Sequence, residues 1–329
     1  MEDRIVVNQL SKVFRVPVRE AGIKASMRSL FQRQYQEVEA VRKISFTVAA
    51  GEVVGFIGPN GAGKTTTLKM LSGLLYPSAG EARVLGFVPW ERKAGYLHRI
   101  SMVLGNKSQM LWDIPPLDTF NVLREIYHVP LETYQCTLDE LVDLLEMREL
   151  LTKPVRNLSM GERMKCELVA GLLYQPEVLF LDEPTLGLDI SMQGRLRSFL
   201  AEYNRRSGVT VILTSHYMAD VLALCPRVIL IHHGQLLYDD ELAQLAQRLA
   251  PFKLVRISFG DEFNADRFDL PASVEIVEQT EGRYVLRVPR ASVPSCTAGW
   301  LNSLPVADLS VEDPPIEAVI DQIYQEGEI

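Results

Sequence analysis

Residues 53–66, VVGFIGPNGAGKTT, decide the reading of this chain. Val53 to Ile57 is a near-continuous apolar run, the composition of a strand buried on both faces. Before it, Ile44, Phe46 and Val48 alternate as in a half-buried strand, and Ala50-Gly51 supplies a turn. After it, Leu68, Leu71 and Leu75 recur at helical spacing until Gly73 and Pro77, which predicts a helix over 65–75. Between strand and helix, GPNGAGKT at 58–65 fits the phosphate-loop pattern GxxxxGK[ST] in the context that pattern requires.

The chemistry follows from charge. Gly58, Gly61 and Gly63 let backbone N–H groups wrap phosphates, and the helix amino terminus adds its positive dipole end. Pro59, Asn60, Ala62 and Thr66 complete the cradle. Lys64 would reach the β- and γ-phosphates as a point charge, and the hydroxyl of Thr65 would ligate magnesium. Downstream, Val178 to Glu183 reads VLFLDE, an apolar strand ending in two carboxylates. Phosphate-loop enzymes place a second magnesium contact there, and Asp182 is the candidate. Neighbouring residues at a strand end point in different directions, so Glu183 is left to act as general base on the attacking water.

Working outward, further helices are expected at 120–127, 138–145, 161–174 and 191–205, with strands at 178–181, 209–214 and 228–231. Alternating helices and strands imply a mainly parallel α/β core. At 329 residues the chain exceeds one ordinary core, and about 150 residues per domain suggests two domains. Pro251 interrupts the helical pattern of Glu241 to Leu249, which places a boundary near Ala250: a first domain over 1–250 and a small α/β domain over 251–329. The second domain reads strand, strand, Gly282 turn, strand, helix, strand, helix. Asp313, Pro314 and Pro315 open the last helix, and Ile316, Val319, Ile320 and Ile323 form its apolar face.

Composition narrows the classes. An apolar fraction of 47% and a charged fraction of 23% describe a folded globular chain. A net charge of -8 argues against broad nucleic-acid binding, so no nucleic-acid partner is expected. Cys136, Cys166, Cys225 and Cys296 are too far apart for zinc spacings and suggest reduced thiols. The start MEDRIVVNQL has acidic residues where a secretory signal needs basic ones. No apolar run reaches the roughly 18 residues of a membrane helix. His232-His233-Gly234 reads as a tight turn rather than a metal site, because adjacent strand side chains point apart. A GTPase would need NKxD, whereas Asn106-Lys107-Ser108-Gln109 ends without the carboxylate.

Leu158-Ser159-Met160-Gly161-Glu162, a helix and a turn ahead of the acidic strand, resembles the LSGGQ signature of ATP-binding-cassette (ABC) proteins. Gly187-Leu188-Asp189 is similar to the family's D-loop, and Ser215-His216 to its switch histidine; the resemblance covers roughly residues 4 to 245. It implies an ABC nucleotide-binding domain of the phosphate-loop α/β class with a helical subdomain at about 107–175. It also implies a head-to-tail pair, in which Ser159, Gly161, Glu162 and Asp189 complete the nucleotide site of the other subunit, and His216 holds the γ-phosphate and water in line. ATP and Mg2+ are the implied cofactors.

Counting back from Asp118-Thr119-Phe120 puts Asn106 where the family has its Q-loop glutamine, with Gln109 the other candidate; Asn106 could reach the metal only by an inward loop or a bridging water. Tyr35 stands where the family stacks adenine, and Phe14 is the fallback. The segment 15–35 is an insertion with an apolar stripe of Ile23, Met27, Leu30 and Phe31 beside Arg19, Lys24, Arg28 and Arg33. It resembles insertions in polysaccharide-exporting ABC subunits and could meet a membrane surface, a permease or its own domain.

The resemblance implies an ATP-hydrolysing subunit, peripheral at the cytoplasmic face of the cell membrane. It would form a homodimer, or a heterodimer with a second ABC ATPase, and serve an integral-membrane permease through the surface between Gln109 and Tyr127. TLGLD at 185–189 and the tail around Pro314 to Ile323 look like those of exporters of drugs, lipids or polysaccharides. The competing expectation is a soluble ABC-type ATPase acting on a ribosome or a nucleic-acid complex.

Overall fold

The computed structural model describes residues 3–17, 35–105, 107–215, 217–249, 252–260, 270–280, 282–315, 320 and 324. They form two compact units, Met1–Asp240 and Glu241–Ile329.

In the first unit, β1 (Asp3–Pro17) lies between β2 (Tyr35–Ala49) and β4 (Ala79–Val84) in an antiparallel sheet. The β1–β2 pairing runs out to Pro17 opposite Tyr35, so the two ends of the expected insertion are strand. Its apolar stripe, Ile23 to Phe31, lies outside the described residues.

The second sheet has six strands in the order β5-β6-β7-β3-β8-β9. They are β5 (Ile100–Leu104), β6 (Val178–Asp182), β7 (Thr210–Thr214), β3 (Val53–Ile57), β8 (Arg227–His232) and β9 (Gln235–Glu241). β5 through β8 run parallel, and β6 and β7 are buried along their whole length, as their apolar runs dictate. Register places Leu104 beside Asp182 and Asp182 beside Thr214. The carboxyl ends of neighbouring strands therefore open onto one place, the usual ligand crevice of a parallel sheet.

Helix α1 (Lys64–Leu71) follows β3 and stops short of the predicted Leu75. Gly73 takes φ 75°, and a Cβ there would stand 2.3 Å from the carbonyl oxygen of Pro89, so chain packing rather than periodicity ends the helix. After the short α2 (Ala94–Leu97) come α3 (Pro116–Tyr127), α4 (Leu131–Leu144) and α5 (Met160–Leu172), the helical part of the unit. α4 begins well before the predicted Leu138, at Leu131 directly after Pro130; Leu131 and Tyr134 already extend the apolar spacing of Leu138 and Leu141 one turn and more upstream. α6 (Ile190–Ser207) and α7 (Met218–Leu224) flank β7 in sequence.

The second unit takes α8 (Leu242–Leu249), which precedes the boundary expected near Ala250. A sequence break after a helix does not tell which unit the helix packs with. Strands β10 (Phe252–Phe259), β11 (Glu275–Thr280), β12 (Arg283–Pro289) and β13 (Val306–Glu312) make an antiparallel sheet in the order β11-β12-β10-β13, with α9 (Val293–Ser303) between β12 and β13. Val255, Ile257, Leu286, Val288 and Trp300 form its core. Of the expected last helix, Ile320 and Tyr324 are helical, and Ile320 is buried; Ile316, Val319 and Ile323 lie outside the described residues.

Phe180, 0% exposed, sits in the middle of β6 two residues before Asp182. Phe180→Ala should cost about 3–5 kcal/mol in urea unfolding, and a loss under about 1 kcal/mol would contradict this packing.

Candidate functional site

The phosphate loop leaves β3 and turns through Gly61 at φ 81° and Gly63 at φ 109° into α1. The glycines have distinct jobs. A Cβ on Gly58 would lie 2.2 Å from the carbonyl oxygen of Ile231, and one on Gly63 would lie 2.4 Å from that of Ala40. These two residues let the loop sit down on β8 and β2. A Cβ on Gly61 would meet nothing within 4 Å, so its need for glycine is the positive φ. The sequence argument, that bulk would block a phosphate, thus gains a second cause behind the loop.

Lys64 is 5% exposed, and its ammonium donates to the carbonyl oxygens of Gly58 at 2.5 Å and Pro59 at 3.1 Å. Burial pushes its pKa down, and the Glu183 and Asp182 carboxylates pull it back up. An anionic phosphate offers this ammonium stronger acceptors than neutral carbonyls.

Thr65, at the start of α1, donates to Asp182 Oδ1 at 3.0 Å and Oδ2 at 2.9 Å. Thr214 at the end of β7 also donates to Asp182 Oδ1, at 2.7 Å. Two hard oxygen groups thus face each other beside the phosphate loop. Among the described residues there is no group of three or more His, Cys, Asp or Glu placed to hold a metal. A hydroxyl and a carboxylate are the donor types that a hard cation such as magnesium takes.

Glu183 stands in the left-handed region at φ 54°, a costly conformation for a non-glycine residue. Its backbone N–H donates to the carbonyl oxygen of Thr214 at 3.0 Å and to Thr214 Oγ1 at 3.1 Å. On the other side, the Gly105 N–H donates to the Asp182 carbonyl oxygen at 2.8 Å, and a Cβ on Gly105 would strike the Glu183 carbonyl oxygen at 2.1 Å. The kink at Glu183 is thus clamped between β7 and the end of β5. Sequence reading missed Thr214 and Gly105, since neither carries a motif; only strand register brings them here.

His216 and Asn106 lie outside the described residues. The neighbours of His216 are held firmly. Ser215 donates to Asp220 at 2.7 Å and accepts from the Tyr217 N–H at 3.0 Å. Asp220, fully buried, also accepts from Thr185 and, at 2.8 Å, from Arg197. One carboxylate on α7 so ties the turn after Glu183, the strand end before His216 and helix α6. Gln109, the second Q-loop candidate, turns its amide to the carbonyl oxygen of Glu167 at 3.4 Å.

Ser159 caps α5, and Glu162 completes a capping box: the Glu162 N–H donates to Ser159 Oγ at 3.3 Å, and Glu162 Oε2 accepts from the Ser159 N–H at 2.8 Å. The bond from the Ser159 backbone holds the Glu162 carboxyl below its usual pKa. Gly161 lies in the first turn, where a Cβ would come within 3.1 Å of Met192. Asp189 caps α6, accepting from the Met192 N–H at 2.8 Å. These residues define helix starts as well as standing in the motifs. Tyr35 is 55% exposed at the head of β2, and Phe14 carries Lys12 over its ring at 5.2 Å.

His233 at φ 46° and Gly234 at φ 79° form the expected two-residue turn between β8 and β9. The expectation that the two histidine side chains point apart fails, because the turn breaks strand alternation and brings their rings to 4.0 Å. Burial, then the His233 neighbour, lowers the His232 pKa.

Comparison with known proteins agrees with this geometry. The family model described as "ABC transporter" matches residues 41–186, and one described as "EvrA-like ABC transporter, C-terminal domain" matches residues 251–312. The ABC transporter ATP-binding protein NatA of Bacillus subtilis is 34% identical over 215 residues, 65% of this chain and 87% of that one. The Nod factor export ATP-binding protein I of Ralstonia nicotianae is 32% identical over 254 residues, 75% of this chain and 76% of that one. Among solved structures, a dimeric ATP-binding cassette in a post-hydrolysis state bound to ADP and Pi superposes with TM-score 0.59 at 19% identity, covering 72% of this chain and 98% of that one. With its phosphate loop, acidic strand end and relatives in agreement, the chain belongs to the ATP-binding proteins of ABC transporters and is an ATP hydrolase.

Proposed function

We propose that the chain powers export by a separate integral-membrane permease, closing head-to-tail on a second ABC ATPase, its own copy or a homologue, around MgATP. The observation that carries this reading is the apolar exposure beside the two capped helix starts. Met160, next to Ser159, is 42% exposed, and Ile190, next to Asp189, is 84% exposed. Such side chains suit a partner surface better than water. That a cassette of the same fold is described as dimeric with ADP and Pi bound supports pairing of such chains.

In this reading Thr65 and Asp182 hold the magnesium, Lys64 and the 58–66 loop hold the phosphates, and Tyr35 stacks the adenine. A metal bound there would supply positive charge to neutralise that developing on the phosphates. Glu183 takes the proton of the attacking water, His216 steadies the γ-phosphate, and Asn106 would touch the metal or its water. Ser159, Gly161, Glu162 and Asp189 close the site of the opposite subunit.

Between Gln109 and Tyr127, Leu111, Trp112, Val122 and Ile126 present apolar surface, which fits a permease contact. No helix among the described residues is long and apolar enough to cross a membrane, and the reading assigns passage to the permease. It places the chain at the cytoplasmic face. The Nod factor export relative supports the outward direction. The net charge of -8 weighs against a nucleic-acid partner.

Glu183→Gln should keep ATP binding, accumulate as an ATP-bridged dimer in size-exclusion chromatography, and lose about 10²–10⁴ in turnover; turnover near the parent rate would overturn the general-base assignment. The tagged chain, expressed in its source cells and extracted in detergent, should co-purify with a polytopic membrane protein. Co-purification with ribosomes instead would favour a soluble ATPase of the same family.

A further inference from the structure

Glu167 lies on α5, about two turns beyond Ser159, and is 4% exposed. A buried carboxylate is costly unless its oxygens are satisfied. Here the donors come from one short loop. Ser108 Oγ donates to Glu167 Oε1, the Gln109 N–H lies 3.1 and 3.2 Å from the two oxygens, and the Met110 N–H lies 3.4 Å from Oε1. Ser108 Oγ in turn accepts from the Met110 N–H at 3.1 Å, and the Gln109 amide reaches back to the Glu167 carbonyl oxygen. Burial pushes the Glu167 carboxyl up, while these hydrogen bonds hold it down.

The loop that Glu167 grips begins at Gly105, whose N–H is bonded to the Asp182 carbonyl oxygen and whose missing Cβ leaves room for that of Glu183. Gly105 on one side and residues 108–110 on the other are therefore each pinned. One pin is the strand end that carries Asp182 and Glu183; the other is the helix that starts at Ser159. Lys64 and the loop glycines take part in none of these bonds; the phosphate loop meets the first pin through Thr65 on Asp182.

We propose that Glu167 is a positioning residue for hydrolysis, whose carboxylate locks residues 108–110 to the Ser159 helix and so fixes where the acidic strand end stands relative to the signature. The proposal rests on the assignment of Asp182 and Glu183 above. An apolar residue would pack α5 equally well; what the carboxylate adds is the grip on Ser108, Gln109 and Met110. Loss of the grip then leaves ATP binding intact and slows the chemical step, because the loop and α5 no longer move as one body.

The test is steady-state MgATP hydrolysis by the purified full chain, with thermal melting of each variant. Ser108→Ala removes one donor from a partly exposed loop and should lower kcat by about 3- to 10-fold with KM for ATP within about twofold and melting unchanged. Glu167→Gln keeps the shape but turns an amide N–H₂ toward N–H donors, and should lower kcat by at least about tenfold with the same KM. If Glu167→Gln fails to fold, Ser108→Ala alone decides. A kcat within about twofold of the parent in the folded variants, or a rise in KM without a fall in kcat, overturns the lock. Glu183→Gln run alongside separates the two claims: if it retains turnover the site assignment falls and the lock with it, whereas an inactive Glu183→Gln beside a fully active Ser108→Ala sinks the lock alone.

Discussion

The contact between Thr65 and Asp182 is the constraint on which the rest of the first unit depends. A hydroxyl at the start of a helix and a carboxylate at the end of a strand must stand about 3 Å apart although 116 residues of chain separate them. β7 lies between their two strands in the sheet, so the contact holds only if β3, β7 and β6 end at matching levels. Parallel pairing and buried apolar strands secure that level, and Thr214 from the intervening strand fastens Asp182 in place. Removing the register of any of the three strands would move an oxygen out of reach.

Electrostatics then sorts the buried charges. Burial pushes the Lys64 pKa down, and the Glu183 and Asp182 carboxylates pull it part of the way back. Asp220 and Glu167 are also deep in the unit, and each accepts hydrogen bonds from outside its own helix, from loop residues in both cases and from Arg197 of α6 at Asp220. These carboxylates act as anchor points at which loops between strands acquire a single conformation. A buried acid without such donors would be costly, so its presence marks where a loop must not slide.

Much of this was legible in the sequence because it depends on local rules. The phosphate loop shows itself through glycine spacing, and β6 through an apolar run that ends in two acids. The His233-Gly234 turn follows from residue type, as does the strand-turn-strand order around Gly282. What stayed hidden needs register or packing. Thr214, Gly105, Asp220 and Glu167 belong to no motif and matter only because distant strands bring them to one edge. The early start of α4 was legible in Leu131 and Tyr134, at helical spacing ahead of Leu138, and was missed; the end of α1 stayed hidden because Pro89, far along the chain, forbids a side chain at Gly73. The meeting of the His232 and His233 rings required knowing that the backbone leaves the strand at His233.

The central claim is that each chain supplies half of two composite sites. It is tested most directly by mixing chains carrying Lys64→Ala with chains carrying Ser159→Phe, each inactive alone, and measuring ATP hydrolysis. The account predicts that activity returns on mixing, because the mixed dimer holds one site with an intact phosphate loop facing an intact Ser159. Mixtures as inactive as either variant alone would contradict it.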